Sequence, residues 1–244
     1  MMLWVYLRNG DTMIEKNILN IQWVEYEASI PGIAMRFKED AWYWRVLPSS
    51  LRRCATTIGK TVWFPSREKY WDDTQITFSI IAHEFQHVFD WVRYGAIGFL
   101  FRYLFPQILG LSALVFAILM LCFGWYATAV SLFGLTLFIA APWPSNQRTK
   151  IEQCGYSMNL ATQYLIEGEV TEEHAAYVEG KFNNWFYYKM YRGDCQALVD
   201  NMIENISGPR WPSGLSAFAP TVGALLEAGL VSDRARVAYR WPKR

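Results

Sequence analysis

Residues 74–93 read TQITFSIIAHEFQHVFDWVR, and the architecture turns on that stretch. Ile76, Ile80, Ile81, Val88 and Trp91 recur at helical spacing, and Asp73 or Thr74 can cap the start. A helix running to about Arg93 is therefore predicted. On it, His83 and His87 stand four residues apart and project from one face, one turn above the other. That spacing lets two imidazole nitrogens reach one zinc ion at about 2.0–2.1 Å. Glu84 lies beside the first of them, off the metal axis, where it can take a proton from a water acidified by the metal and pass it to a leaving amine. His83-Glu84-Phe85-Gln86-His87 is thus an HExxH segment, and it uses two of the three histidines in the chain.

Zinc in a catalytic site takes three protein ligands. The continuation HExxHxxGxxH is absent, because Asp90, Trp91 and Arg93 follow His87. The third ligand must come from elsewhere, and two residues compete for the place. His174 lies in the acidic cluster Glu172-Glu173-His174, and Glu152 lies in RTKIEQCGY, residues 148–156. A helix starting near Ser145 would put Arg148, Glu152 and Tyr156 on one face. Arg148 could then orient the carboxylate, and Tyr156 could point its hydroxyl at the site. Glu152 is favoured because it follows a long apolar segment that would return the chain to the HExxH helix. Asp90, on the same face as the histidines, either holds one imidazole tautomer from behind or is a solvated helix-end carboxylate.

The apolar segment has no charged residue between Arg102 and Arg148. About 20 apolar residues cross a hydrocarbon core, and two such spans fit here, at residues 103–123 and 126–141, broken at Gly124-Trp125. A transmembrane helical hairpin is predicted within residues 95–144. Arg93, Arg102, Arg148 and Lys150 all lie on its open side, which puts both flanks on the cytoplasmic side. Trp91, Tyr94, Tyr103 and Trp143 would then sit near headgroups, and residues 95–105 would lie in the interface. The alternative is a buried helical pair covered by other subunits. Residues 103–142 are accordingly expected to meet a lipid bilayer or apolar protein partners.

The flanks divide by pattern. Residues 1–94 suggest an α+β part, with strands at 3–7, at 18–26 by rough alternation, and at 59–65, where Pro65 confines the strand to an end or an edge. Residues 61–64 are the candidate for holding a substrate backbone by β-augmentation. Residues 145–244 suggest helices over 151–192 (with a break near 169–173), 194–206 and 215–230. The aromatic cluster Trp185-Phe186-Tyr187-Tyr188 reads as core or interface. The predicted fold class is an α+β, zincin-like domain with an inserted transmembrane hairpin and C-terminal helices.

Composition narrows the function. A net charge of +1 gives no field for nucleic acid or an acidic substrate. Charged residues are 18% of the chain, below the roughly 25% of soluble domains, while 12 Trp, 14 Tyr and 15 Phe suit a membrane interface or a protein-covered surface. Cys54, Cys122, Cys154 and Cys195 form no CxxC pair, which excludes zinc-ribbon and thioredoxin-like sites, and a reducing compartment is expected. The start, MMLWVYLRNGD, lacks a basic n-region, so export by a signal peptide is not expected. Phosphate loops, Gly-x-Ser-x-Gly elbows and nucleic-acid motifs are absent.

HExxH followed much later by a helix-borne Glu is the gluzincin pattern. HEFQHVFDW, the long apolar insertion and RTKIEQCGYSM together resemble zinc peptidases encoded in bacteriophage genomes. The resemblance covers about residues 55–160, with only HExxH specific. It implies His83, His87 and Glu152 as zinc ligands and Glu84 as general base. The gluzincin ExxxD form is not kept, since Tyr156 stands where Asp would be. The expected function is a membrane-associated zinc metallopeptidase acting on a peptide or protein near the bilayer, with Glu84 and Tyr156 catalytic. A second expectation is a structural subunit of a virion or membrane assembly that keeps the fold with little activity. A third is a peptidoglycan endopeptidase, disfavoured by the lack of a wall-binding module.

Overall fold

The computed structural model describes residues 12–72, 74–105, 107–140, 145–183, 191, 193–208, 212 and 214–240. The strand expected at residues 3–7, the cap at Asp73, Trp143 and the aromatic cluster at 185–188 lie outside them. The first element is helix α1, Thr12–Ser29. Its buried positions, Ile18, Leu19, Gln22 and Tyr26, recur at helical spacing. A rough polar alternation had suggested a strand there, but packing decides otherwise. Tyr26 stacks on Phe85 at 3.7 Å between centroids, and Gln22 Nε2 donates to the Phe78 carbonyl at 2.9 Å. Helix α1 thereby braces the back of the HExxH helix.

A small sheet follows, built from β1 (Ala34–Phe37), β2 (Thr56–Ile58) and β3 (Thr61–Phe64) in the order β1-β3-β2. Strand β3 pairs parallel with β1 and antiparallel with β2. Two short helices, α2 (Trp42–Arg45) and α3 (Ser49–Arg53), connect β1 to β2. Residues 61–64 are therefore the central strand, with Val62, Trp63 and Phe64 buried, and not the exposed edge that holding a substrate by β-augmentation would need. Pro65 ends the strand, one of the two places expected for it, and among the described residues β2 lies at an unpaired edge. Gly59, at φ 66°, opens the two-residue turn between β2 and β3. Lys38 is buried and donates to the carbonyls of Leu51 (2.6 Å) and Cys54 (2.7 Å) and to Thr56 Oγ1 (2.7 Å), which pins the approach to β2.

Helix α4 (Arg67–Asp72) leads into α5 (Thr74–Leu104), which is interrupted at Gly95. Gly95 adopts φ 68° and ψ 166°, a conformation open to glycine at little cost, so α5 has two limbs, residues 74–94 and 96–104. Helices α6 (Gln107–Cys122) and α7 (Tyr126–Ala140) form a hairpin. Its turn is a Schellman motif: Trp125 N–H donates to Met120 O at 2.8 Å and Gly124 N–H to Leu121 O at 3.1 Å, with Gly124 at φ 75°. Buried Ala113, Ala117 and Ala129 lie along its seam, while Phe116, Phe133, Leu137 and Phe138 are exposed.

This hairpin corrects the membrane expectation. Among the described residues, no helix is long and apolar enough to cross a membrane. With 16 and 15 residues, α6 and α7 extend about 24 and 22 Å at a rise of about 1.5 Å per residue. A hydrocarbon core of about 30 Å exceeds both. The charge-free run was read as two full spans, but α5 ends at Leu104 before Pro106, and α7 ends at Ala140 before Pro142. Residues preceding proline disfavour helix. A transmembrane hairpin and a membrane-associated localisation with cytoplasmic flanks are therefore not supported.

Helix α8 (Asn146–Glu167) packs along α5, and its N-cap is Ser145, which accepts from Arg148 N–H. It is buried over most of its length, joining Met158, Leu160 and Leu165 to Phe78, Ile81, Phe85 and Val88 of α5 in one core. Helices α9 (Glu172–Asn183), α10 (Cys195–Ser207), α11 (Phe218–Glu227) and α12 (Asp233–Ala238) complete the packing. The fold is a mostly helical domain with a small three-stranded mixed sheet, in place of the expected α+β zincin-like domain with a membrane hairpin. Of the expected strands, that at 18–26 fell on α1, whose burial follows the helical period, while that at 59–65 contains β3.

Candidate metal centre

The packing of α5 against α8 brings three side chains from the two helices together. His83 and His87, one turn apart on α5, place their Nε2 atoms 3.1 Å from each other. Glu152 Oε2 of α8 lies 3.6 Å from His83 Nε2 and 3.7 Å from His87 Nε2. Tetrahedral zinc with bonds of about 2.0–2.1 Å separates its ligand atoms by about 3.3 Å. The triangle is close to that size. Two imidazoles and a carboxylate also suit zinc chemically. His83, His87 and Glu152 thus form a group that could hold a metal ion.

The surroundings of His83 fix its orientation. Its Nδ1 lies 2.7 Å from Asn159 Oδ1, and Asn159 Nδ2 donates to Ser79 Oγ at 2.8 Å and to Ser79 O at 3.2 Å. With the amide nitrogen so engaged, Oδ1 accepts, His83 carries its proton on Nδ1, and the Nε2 lone pair faces the triangle. Gly155 makes room for the ring: a Cβ there would stand 2.8 Å from His83 Cε1 and Nε2. Tyr156 is buried edge-on to the same imidazole, 4.7 Å between centroids.

His87 is held by charge. Burial alone would lower its pKa, but the Glu152 carboxylate, with Glu84 and Asp90 adding, outweighs burial and raises it from 6.5 to about 9. Burial pushes the Glu152 carboxyl up, yet His87 and His83 hold it well below the usual carboxylate range. The pocket therefore favours a cation among its carboxylates. Asp90 is buried nearby and its pKa is raised, mainly by burial. Neither reading of Asp90 holds: it is buried and not solvated, and among the described residues His87 Nδ1 and Asp90 Oδ2 have no hydrogen-bond partner, so the tautomer-holding bond is not formed.

Two further contacts were not anticipated from sequence. Thr57, on the edge strand β2, donates from Oγ1 to Glu84, lying 2.7 Å from Oε2 and 3.0 Å from the carbonyl oxygen. Tyr103, on the second limb of α5, donates its phenol proton to Glu152 Oε1. Arg148 donates from Nε to the Tyr103 carbonyl at 2.7 Å and from Nη2 to Gln107 Oε1 at 3.0 Å. The triangle opens on a cleft of about 840 Å³. Its lining includes Thr57, Ile58, Ile76, Ile80, Phe99 and Tyr103.

His174 stands apart from this group. It is exposed at the start of α9, with Nδ1 2.8 Å from Gln163 Nε2 and 2.9 Å from Thr171 Oγ1. Asn159 lies seven residues beyond Glu152, on nearly the same helical face, so its polarity there was a usable signal. Nothing local marked Thr57, and Tyr103 had been assigned to a bilayer surface. Comparison with protein-family profiles, with curated proteins and with solved structures finds no match.

Proposed function

We propose that this chain is a zinc-dependent peptidase of zincin-like chemistry, with His83, His87 and Glu152 as the metal ligands and Glu84 as the general base. The observation that carries the reading is the triangle of two Nε2 atoms and one Oε2, 3.1, 3.6 and 3.7 Å apart, from three residues that line a cleft. A bound zinc ion supplies an acidified water and a polarised carbonyl. The chain's own residues do the rest. Thr57 occupies Glu84 Oε2, which leaves Oε1 to accept a proton and return it to the leaving amine nitrogen. The free edge of β2 runs past Glu84 and offers backbone groups to an extended substrate. Tyr156, which lines the cleft beside His83, is assigned to donate to the substrate carbonyl oxygen. The partner is then a peptide or protein segment. The gluzincin resemblance supports the same assignment of ligands and base.

The test is cleavage of a mixed peptide library by zinc-loaded protein. Glu84→Gln should keep zinc and lose about 10²–10⁴-fold in rate. Wild-type zinc protein that cleaves nothing in the library, or a Glu84→Gln variant as active as wild type, overturns the peptidase reading.

One observation favours a second reading. The outer face of α6 and α7 exposes Phe116, Phe133, Leu137 and Phe138. Such a patch suits apolar protein partners, as in a subunit of a virion or other assembly in which the peptidase chemistry is minor. Fixed, symmetric stoichiometry in isolated particles would favour this reading, and sparse, variable copies would favour the enzyme.

A further inference from the structure

Tyr103 belongs to the second limb of α5, beyond the interruption at Gly95, yet it reaches the metal group. Its phenol donates to Glu152 Oε1, while Oε2 of the same carboxylate faces His83 and His87. A carboxylate has two equivalent oxygens and a freely turning terminal bond. A donor on one oxygen fixes that rotation and leaves the other to face a cation. The ring is itself held: it stacks on Phe99 at 5.6 Å and 11°, stands 6.3 Å from the His87 ring, and lies 5.4 Å from the Arg148 guanidinium carbon. Arg148 also grips the backbone carbonyl of Tyr103 and the side chain of Gln107, the first residue of α6.

We propose that Tyr103 is the positioning residue of the metal centre, turning Glu152 Oε2 toward the metal, and that it roots the α6–α7 hairpin in the site through Arg148. The inference rests on the reading of His83, His87 and Glu152 as metal ligands. Its physical content is that the apolar hairpin and the metal centre share one hydrogen-bonded chain, Gln107–Arg148–Tyr103–Glu152. Without the phenol proton, Oε1 stays buried and unpaired, and the carboxylate is free to turn away.

The experiment is zinc affinity by chelator competition on wild type, Tyr103→Phe, Glu152→Ala and the double variant, with far-UV circular dichroism of each metal-free protein. Tyr103→Phe is expected to weaken zinc about 10–100-fold and to shift the visible bands of the cobalt-substituted protein, while the metal-free fold is kept. In the Glu152→Ala background the same change should have no further effect. Should Tyr103→Phe not accumulate folded, Arg148→Met, which releases the Tyr103 carbonyl but keeps the phenol, is expected to weaken zinc as well. Affinity within twofold of wild type in the folded variant, or equal weakening with and without Glu152, overturns the proposal. Wild type that binds zinc while Tyr103→Phe matches it removes only this inference. Wild type that binds none removes the metal reading and this inference together.

Discussion

Gly155 shows how one residue can carry opposite expectations. In a helix interior, glycine to alanine gains up to about 1 kcal/mol from backbone propensity. At position 155 the added methyl would stand 2.8 Å from the His83 ring, on the side of α8 that faces the HExxH helix. Gly155→Ala is therefore expected to displace the imidazole and to weaken zinc binding at least tenfold, read by chelator competition. Unchanged affinity with a raised melting temperature would mean that the ring has room to spare. The charges make a second prediction at this scale, for the chelator-treated protein. His87 is raised from 6.5 to about 9, so its contribution to stability is fully present below pH 6.5 and is lost as pH rises toward 9. Glu152 is depressed below 4.5, so its contribution is present above pH 4.5 and is lost as pH falls further. The melting temperature should be highest between about pH 4.5 and 6.5 and should decline toward pH 9, and His87→Asn should flatten that decline. A wild-type midpoint that rises over that alkaline range contradicts the assignment. His83, Glu84 and His87 were legible because a spacing of four residues is local information. Thr57 and Ser79 were not, because their roles depend on which helices and strands meet, and Asn159 offered only its polarity on the Glu152 face.

Strand β2 and the hairpin carry the predictions that belong to elements. Thr57 sits on the free edge of β2 and holds one oxygen of Glu84. Thr57→Val is expected to lower kcat about tenfold or more, with zinc content unchanged, because Glu84, the proposed base, loses its fixed orientation. Loss of zinc in that variant would place Thr57 in the metal site itself. In the hairpin, Gly124 has φ 75° at the helix end, whereas Gly134 lies within α7 with nothing within 4 Å of an added Cβ. Gly124→Ala should destabilise the hairpin by about 1–2 kcal/mol, and Gly134→Ala should stabilise it by up to about 1 kcal/mol. Hydrogen exchange of the α6 and α7 amides reads both signs. Helix α8 was foreseen from the face shared by Arg148, Glu152 and Tyr156, all buried in the structure. Helix α1 was not, because Ile18, Leu19, Gln22 and Tyr26 sit among other apolar residues that blur the period. The absence of charge in residues 103–147 revealed a helical pair but not its length, which the prolines at 106 and 142 bound.

At the scale of the whole molecule, the candidate metal group ties the HExxH helix to α8, the two helices that give the core more buried side chains than any other. An ion that binds only the folded state then stabilises all of it. Free zinc at 100 times its dissociation constant should add about 2.7 kcal/mol, a rise of several degrees in melting temperature for a chain of this size. The exposed apolar face of α6 and α7 joins the same group through Tyr103 and Arg148, so a partner covering the hairpin would lie one hydrogen-bonded chain from Glu152, the proposed third ligand. The central claim is that His83, His87 and Glu152 hold one zinc ion beside the base Glu84. Its most direct test is metal content by mass spectrometry on purified wild type, His83→Ala, Glu152→Ala and Glu84→Gln proteins from zinc-replete preparations. The account predicts about one zinc per chain in wild type and Glu84→Gln, with loss in the other two. Zinc-free wild type, or full zinc in both His83→Ala and Glu152→Ala, would contradict it.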